Sequence, residues 1–259
     1  MYFLPAIEST FFAAYRHWGN LFGQVYENGP TCAIQTGIAT ADLNAAWAQA
    51  PLTRNEKHII GGVKRFFGNA GLPFWWWLFP SSQTSETTGL LVNEGFSRVG
   101  SIPCMLAELN AFTEKLSFPA GLQIIQVANQ EEMLLWESVS FTAFDFPAET
   151  RHQYSRFVAT FDLGHDTNQH FFLAFLDGKP VATSLSYFQN QYAGIYFVAT
   201  LKEHRKKGIG LAITQSTMHH AKMAGSLYAT LQSSRDGLSV YRQAGFKEYG
   251  RADVYEILK

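Results

Sequence analysis

The residues best suited to chemistry lie in one short basic run that contains two glycines. The run reads Arg205-Lys206-Lys207-Gly208-Ile209-Gly210-Leu211. Glycines allow a backbone to approach an anion without an intervening Cβ, and basic side chains add positive charge around it. Where such a run opens a helix, the first backbone N–H groups are unpaired and point toward one place, which suits a phosphate or pyrophosphate. The alternative from these residues alone is a solvated basic turn before an ordinary helix.

A strand and a helix are predicted on either side of this run. Residues 192–200 are rich in aromatic and β-branched side chains, which favour a half-buried strand. After the run, apolar side chains recur at helical spacing up to Ala221. Gly225 is suited to ending this helix because glycine tolerates a positive φ. The sequence therefore predicts a candidate anion site at the start of a helix that follows a strand.

Two longer patterns surround these residues. The first is Ala193-Gly194-Ile195-Tyr196-x-Val198-Ala199-Thr200 followed by Arg205-x-x-Gly208-x-Gly210-x-Ala212, and the second spans Tyr228 to Ser234 with Gly237, Tyr241 and Gly245-Phe246. In order and spacing they resemble motifs A and B of the GCN5-related N-acetyltransferase (GNAT) superfamily. The resemblance covers the last third of the chain closely and the rest of its second half loosely. It implies an α/β (α+β) fold in which helices flank a mixed, mostly antiparallel sheet.

The resemblance also implies a reaction and a co-substrate. In this superfamily acetyl-coenzyme A (acetyl-CoA) lies between two neighbouring strands, its pyrophosphate sits on the turn before the helix, and an amine attacks the thioester directly. The implied donor-binding residues are Val198, Ala199, Thr200, Arg205, Lys206, Lys207, Gly208, Ile209, Gly210, Leu211 and Ser234. The N–H of Val198 would face the thioester carbonyl as an oxyanion donor. The resemblance implies no metal.

Tyr241 is the implied general acid, because its phenol could protonate the thiolate of the departing coenzyme A. The alternative for Tyr241 is a helix residue that only packs on the sheet. Ser234 could contact the donor or cap the next helix, and the cap is favoured. The general base is open, because residues 192–200 contain no carboxylate. The candidates are Glu203, His204, Asp145 and Glu149, together with a water relay or an amine that arrives neutral.

The composition limits the kind of protein. Of the 259 residues 47% are hydrophobic and 15% aromatic, which predicts a compact globular protein. The 20 basic and 21 acidic residues nearly balance, so general nucleic-acid binding is not expected. Cys32 and Cys104 are far apart and lack metal-type spacing. No apolar stretch approaches the roughly 18 residues needed to cross a bilayer, so we expect a cytoplasmic protein without a membrane partner, as a monomer or a homodimer.

The second half of the chain repeats the order of the first. Each half carries a predicted helix that ends in glycine, an aromatic-rich strand, a short helix, a Gly-Phe pair and a final strand. The glycines that mark this order are Gly71 and Gly95 in the first half and Gly225 and Gly245 in the second. Proline and glycine interrupt the pattern just after residue 118. We therefore predict two GNAT-like domains in tandem, residues 1–118 and 119–259.

The first domain is predicted to be a degenerate copy without a donor site. Ahead of its helix, residues 52–57 contain no glycine pair, and Leu91 stands where the second copy has Tyr241. Its role is open between capping the sheet of the second domain, which is favoured, and forming a wall of the acceptor pocket. The first 70 residues or so are predicted to be mostly helical, and the copy is predicted to end in a strand pair that runs through Leu109.

The second domain is predicted to begin with a strand at residues 122–127 and two helices at residues 130–141 and 149–161. Asp177-Gly178 predicts a hairpin turn between the next two strands, because this pair tolerates positive φ. The resulting order, β-α-α-β-β-β-α-β-α-β, matches the GNAT fold.

Two functions from different classes follow from these patterns. The first is an acetyl-CoA-dependent N-acetyltransferase that acts on a primary amine of a small molecule or peptide, and Tyr241 favours it. The second is a non-catalytic protein that binds acyl-CoA or CoA, for which the missing strand carboxylate leaves room. Transfer from an aminoacyl-tRNA is disfavoured by the neutral charge and the intact glycine turn. The aromatic residues between the first two helices of the second domain suit either an aromatic acceptor or a packed core.

Overall fold

A computed structural model describes residues 3–112 and 118–257 of the chain. Within the first of these ranges the elements are α1 (Leu4–Phe22), β1 (Val25–Asn28), β2 (Thr31–Ile34), β3 (Ala45–Ala48), α2 (Lys57–Ala70), β4 (Trp75–Leu78), α3 (Ser85–Asn93) and β5 (Phe96–Glu108). Within the second they are β6 (Leu122–Gln126), α4 (Gln130–Ala143), α5 (Arg151–Val158), β7 (Gln169–Leu176), β8 (Lys179–Gln189), β9 (Tyr192–Thr200), α6 (Ile209–Met223), β10 (Tyr228–Gln232), α7 (Leu238–Gln243) and β11 (Lys247–Ile257). The order β-β-β-α-β-α-β therefore occurs twice along the chain.

The chain folds into two compact units that are each made of separate segments. Unit 1 takes the described residues of Met1–Cys104, His152–Thr160 and Tyr249–Lys259, and unit 2 takes those of Met105–Arg151 and Phe161–Glu248. Strand β5 begins in unit 1 and ends in unit 2, whereas β11 begins in unit 2 and ends in unit 1. The two units therefore do not follow the ranges 1–118 and 119–259, and the domain division drawn from the sequence stays a prediction.

Unit 1 is a sheet covered by a helix on each face. Its strand order is β1-β2-β3-β4-β11-β5, in which β3 and β4 run parallel and the pairs β1/β2, β2/β3 and β4/β11 run antiparallel. Helix α1 covers one face, where the ring of Phe12 stacks on Trp47 at 5.5 Å. Helix α2 covers the other face, where Val63 and Phe67 share a buried cluster with Trp76. Trp47 thus packs on the α1 side of the sheet, and Trp76 packs on the α2 side.

Residues 25–48 correct the expectation of a mostly helical first segment. They form three short strands, because Asn28-Gly29-Pro30 is a tight turn, with Gly29 at a φ of 55°, that joins β1 to β2. Every residue of β2 and β3 is buried, so neither strand alternates between apolar and polar residues. The alanine-rich composition of β3 then favours a helix when only the sequence is considered. The predicted strand pair through Leu109 is also wrong, since a single strand, β5, occupies this segment.

Residues 122–257 have the element order that the sequence predicts, although most of α5 and most of β11 belong to unit 1. Unit 2 is itself a sheet with a helix on each face. Its strand order is β5-β10-β9-β8-β7-β6, in which β9 and β10 run parallel and the neighbours from β6 to β9 run antiparallel. Helix α6 covers one face through Ile209 and Ala212, which share a buried cluster with Phe172. Helix α4 covers the opposite face, where Trp136 lies 5.2 Å from the ring of Phe171. The hairpin turn at Asp177-Gly178 is confirmed, with φ values of 50° and 77°.

None of the helices within the described residues is both long enough and apolar enough to span a membrane. Cys32 and Cys104 are both buried as free thiols.

Candidate active site

Strands β9 and β10 separate partway along their length. Their registered parallel pairs run from Tyr192↔Tyr228 to Gly194↔Thr230. Strand β9 continues to Thr200 and β10 to Gln232, with no further registered pair among the described residues. Parallel strands run toward the same edge of the sheet, so the separation opens at that edge. An extended ligand could use the backbone groups there as an additional strand would.

The backbone of β9 changes direction inside this opening. Phe197 has a φ of 51°, and the register between β8 and β9 shifts at the same level, between Thr183 and Leu185. The Thr183 hydroxyl donates a 2.9 Å hydrogen bond to the Phe197 carbonyl, and the ring of Phe197 packs against Trp136. Such bulges re-aim the residues that follow them. The bulge therefore sets the direction of the predicted donor-binding residues Val198, Ala199 and Thr200.

Helix α6 begins directly after the opening with an uncapped N-terminus. Lys206 and Gly208 have positive φ values of 60° and 78°, which fold the basic run into a tight turn. The N-terminus has no side-chain cap and no acidic residue in its first turn. The N–H groups of Ile209, Gly210 and Leu211 precede the first helical hydrogen bond, which Ala212 donates to Gly208 over 3.0 Å. These groups together form a local site for negative charge.

The three basic residues of the turn have different surroundings. The Arg205 guanidinium donates hydrogen bonds to the carbonyls of Thr200 (3.0 Å) and Ala143 (2.9 Å), so it ties the turn to β9 and to α4. Lys206 and Lys207 are exposed. A Cβ at Gly210 would meet its nearest neighbour, the Thr200 hydroxyl, at 3.7 Å, so the space beside Gly210 is open. Two lysines and an open backbone thus face solvent at the start of α6.

Tyr241 lies on α7 in the same buried cluster as Leu231 and Met218, with Val198 and Leu211 packed against it. Its burial raises the pKa of the phenol above its ordinary value, so the hydroxyl stays protonated near neutral pH. Gly237 has to be glycine here, because a Cβ would approach the Tyr241 ring to 2.7 Å. The structure therefore brings together the predicted acid, the bulged strand and the start of α6.

The remaining predicted residues lie at the edge of this arrangement. The Ser234 hydroxyl accepts a 3.1 Å hydrogen bond from the N–H of Gly237, which is the N-cap residue of α7. Ser234 therefore bonds within the turn before α7 and does not cap the helix itself. Among the candidates for the base, Glu203, Asp145 and Glu149 are exposed and His204 is half-buried. Across the described residues, no set of three or more His, Cys, Asp or Glu side chains is arranged to hold a metal ion.

Sequence reasoning missed two polar residues beside the opening. Thr230 is fully buried and Gln232 half-buried, and the hydroxyl and both amide atoms have no hydrogen-bond partner within the described residues. The signal was available in β10, where Ala229 and Leu231 alternate with these two polar side chains. In a strand such alternation places them on the face opposite the apolar pair.

Comparison with known proteins agrees with this geometry. The sequence model of the acetyltransferase (GNAT) family matches residues 131–246. No curated protein matches the sequence significantly.

Many solved structures have a similar fold. A GCN5-related N-acetyltransferase from Kribbella flavida is 21% identical with a TM-score of 0.73, and the match covers 96% of this chain and 95% of that one. A GCN5-related N-acetyltransferase from Sphaerobacter thermophilus is 16% identical with a TM-score of 0.65 and coverages of 89% and 78%. A tandem GNAT protein from the clavulanic acid biosynthesis pathway is 14% identical with a TM-score of 0.57 and coverages of 91% and 82%. At these identities the likenesses establish the fold.

The family match and the fold agree on the same part of the chain. Residues 131–246 include the opening between β9 and β10, the start of α6 and Tyr241 on α7. Acyl transfer is therefore the class of reaction that this chain performs. Residues 131–246 therefore form a domain of the acetyltransferase (GNAT) family, and the protein is an acyltransferase of the N-acetyltransferase type.

Proposed function

We propose that unit 2 binds acetyl-CoA in the opening between β9 and β10 and transfers the acetyl group to a primary amine of a small molecule or peptide. One observation carries this proposal: the strand pairing ends at Gly194↔Thr230 next to a helix whose N-terminus has no cap. A ligand with an extended arm and an anionic group is complementary to both features at once.

The pyrophosphate of acetyl-CoA binds the start of α6 in this proposal. The N–H groups of residues 209–211 donate to its oxygens, and Lys206 and Lys207 supply positive charge from the exposed side of the turn. Arg205 acts differently from the lysines, because two carbonyls already occupy its guanidinium. It holds the turn in place, and the N–H groups that these two bonds leave over donate to the phosphates.

The pantetheine arm follows β9, and the thioester lies beside the bulge at Phe197. The N–H of Val198 is proposed to hold the oxygen of the tetrahedral intermediate. The amine nitrogen uses its lone pair to bond to the carbonyl carbon, and the electrons of the carbonyl bond move to oxygen. The carbonyl then re-forms as the carbon–sulfur bond breaks.

Tyr241 is proposed to donate a proton to the departing thiolate. Burial raises its pKa and keeps it in the protonated form that this step requires. Solvent then returns a proton to the phenolate and takes the surplus proton of the new amide. In this proposal the amine arrives neutral, because β9 supplies no carboxylate and the candidate bases Glu203, Asp145 and Glu149 are exposed to solvent.

The first copy of the repeated element order is proposed to lack a donor site. Its strands β3 and β4 stay paired to within one residue of their ends, and acidic side chains occupy the turn before α2. One acetyl-CoA per chain is therefore expected.

Calorimetric titration with acetyl-CoA tests the proposal. Wild-type protein should bind one equivalent, and Gly210→Asp should weaken binding by at least about tenfold, because it places a negative charge where the pyrophosphate binds. Gly210→Asn is the matched control, since it has the same size without the charge. It should bind far more tightly than the Asp variant, and both should unfold near the wild-type temperature.

Two results would contradict the proposal. Absence of acetyl-CoA binding to the folded wild type would remove the donor altogether. Equal affinity of the Asp and Asn variants would move the pyrophosphate away from the start of α6.

A further inference from the structure

The polar pair Thr230 and Gln232 lies beside the opening, where neither side chain finds a hydrogen-bond partner among the described residues. The Thr230 hydroxyl and the Gln232 amide nitrogen and oxygen are all buried and make no hydrogen bond within the described residues. A buried polar group without a partner costs roughly 1–3 kcal/mol, so proteins rarely retain one without a use for it. Two such residues, separated by one position on the same strand, share one face of the sheet.

This face is opposite the one that carries the donor site. Ala229 and Leu231 of β10 pack with Met218 of α6 and Tyr241 of α7. Thr230 and Gln232 alternate with them and therefore face the other side, on which α4 packs against the sheet. The residue across from Thr230 is Gly194, which has no side chain to cover the hydroxyl.

The positions of the leaving thiolate and of the attacking amine suggest a role for this face of the sheet. The leaving thiolate has to lie near Tyr241, on the side of α6 and α7. The amine adds to the carbonyl carbon from one face of the thioester, roughly perpendicular to the carbonyl plane. Because the buried cluster around Tyr241 fills the α6 and α7 side, the amine approaches from the α4 side. We infer that Thr230 and Gln232 bind the acceptor and that the acceptor carries an uncharged carboxamide or peptide group next to its amine. This inference rests on the proposed function.

The chemistry of the pair selects that class of acceptor. The Gln232 amide offers one acceptor oxygen and two donor hydrogens side by side, and these match the N–H and C=O of another amide. A carboxylate or phosphate in this place would meet only a neutral hydroxyl and amide, because no charged side chain of the described residues hydrogen-bonds to these atoms. A plain alkylamine would leave all three polar atoms unsatisfied.

Three amines that differ in one substituent test the inference. Alaninamide, alanine and isopropylamine share a methyl group beside the amine and carry a carboxamide, a carboxylate or a second methyl group. The rate of acetyl transfer is measured for each with wild type, Gln232→Met and the control Gln123→Met, an exposed position on β6. Comparing each variant with wild type on the same amine removes the differences in amine basicity.

We expect kcat/KM for alaninamide to fall about 10- to 100-fold in Gln232→Met and to change little for isopropylamine. The KM for acetyl-CoA should stay at its wild-type value, and Gln123→Met should match wild type throughout. The melting temperature of Gln232→Met should equal or exceed that of wild type, because methionine has a similar shape and leaves no polar atom unpaired.

Every other outcome contradicts either the inference or the proposed function. An equal loss for all three amines, no loss at all, or a greater loss for alanine overturns the carboxamide class. A large fall in melting temperature shows that the protein itself uses the Gln232 amide, which also overturns the inference. If wild type binds acetyl-CoA but acetylates none of the three amines, the inference fails alone. If wild type does not bind acetyl-CoA, the proposed function fails and the inference fails with it.

Discussion

The chain contains the same junction twice, once in each unit, and the two differ in how far their parallel strands stay paired. In unit 1 strand β3 is followed along the chain by helix α2 and then by the parallel strand β4. In unit 2 strand β9 is followed in the same way by α6 and β10. The comparison shows which local changes separate a packed junction from a candidate active site.

The strands differ in how far they stay paired. In unit 1 the registered pairs run to Trp47↔Trp77, one residue before each strand ends. Trp47 is fully buried and packs against Phe11 and Phe12 of α1. In unit 2 pairing stops at Gly194, although β9 continues to Thr200. Large side chains thus fill the junction of unit 1, whereas the bulge in β9 opens that of unit 2.

The two helices differ in the turn that leads into them. A 3₁₀ turn at Arg54–Glu56, held by acidic side chains, leads into α2, whereas α2 itself, like α6, has no side-chain cap and no acidic residue in its first turn. Before α2 the Glu56 carboxylate accepts hydrogen bonds from the N–H and the hydroxyl of Thr53, at 2.9 and 3.0 Å. The Glu86 carboxylate accepts another from the Arg54 N–H at 3.1 Å. The protein therefore supplies its own anions in unit 1. At α6 it supplies none, and an anionic ligand can take that place.

The largest effect is expected at Tyr241, which corresponds to Leu91 in the first copy. Tyr241→Phe should lower kcat roughly 10²- to 10⁴-fold, because it removes the proton donor and keeps the ring. The affinity for acetyl-CoA should stay close to that of wild type. Steady-state kinetics with the calorimetric titration measures both quantities.

Leu91→Met is the matched control for Tyr241→Phe. Leu91 is fully buried in the core of unit 1, so this exchange of similar volume should leave kcat unchanged. If Tyr241→Phe keeps wild-type kcat, Tyr241 only packs on the sheet and the comparison with Leu91 loses its chemical meaning.

The next effect is expected at the turn that leads into α6. Gly208 has a φ of 78°, so Gly208→Ala should lower the free energy of unfolding by about 1–2 kcal/mol. Gly68→Ala in α2 is the matched control, because an added Cβ there meets nothing within 4 Å and alanine favours a helix. Denaturant unfolding of both variants measures the difference.

The two substitutions are expected to have opposite signs. Gly68→Ala should raise the free energy of unfolding by up to about 1 kcal/mol. A stable Gly208→Ala variant that binds acetyl-CoA as wild type does would show that the positive φ is not needed for the turn.

The sequence predicts the junction of unit 2 well because its signals are local. Strand β9 has the predicted bounds. Helix α6 begins at Ile209, inside the basic run with the two glycines, and ends two residues before Gly225. The hairpin turn at Asp177-Gly178 follows from two adjacent residues. Each of these features depends on neighbours along the chain, which pattern and turn preferences describe directly.

The features that the sequence did not reveal depend on distant contacts. Strands β2 and β3 are buried on both faces, so their composition does not distinguish them from a buried helix. Strands β5 and β11 each begin in one unit and end in the other because of the strands with which they pair. No local pattern of residues specifies those pairing partners. The two contacts of Arg205 with carbonyls are invisible for the same reason, since one of them joins residues far apart in the chain.

A smaller effect is expected from Glu56→Gln at the start of α2. The amide keeps an oxygen acceptor but loses the negative charge, so the free energy of unfolding should fall by about 0.5–1 kcal/mol. The affinity for acetyl-CoA should not change, because the proposed donor site lies only at α6. If this affinity shifts tenfold, the start of α2 takes part in donor binding and the contrast between the two helix starts is wrong.

Changes of pH within the neutral range are expected to have the smallest effect on stability and on kcat. Each unit buries tyrosines whose pKa burial raises: Tyr15 in unit 1, and Tyr187 and Tyr241 in unit 2. A raised pKa means that the folded state favours the neutral phenol. This contribution to stability is fully present below the unfolded pKa of roughly 10 and is lost as the pH rises beyond it.

The free energy of unfolding should therefore show no tyrosine-dependent change between about pH 7 and pH 9 and should fall above about pH 10. Tyr241→Phe and Tyr15→Phe should each remove part of that alkaline fall, and denaturant unfolding across this range measures it. In the acetylation assay, kcat should not decline from loss of the acid below about pH 9. A decline in that range that disappears in Tyr241→Phe would mean that the phenol ionises more easily than its burial allows. Tyr241 would then be exposed in the working enzyme, unlike its counterpart Leu91 in the closed junction of unit 1.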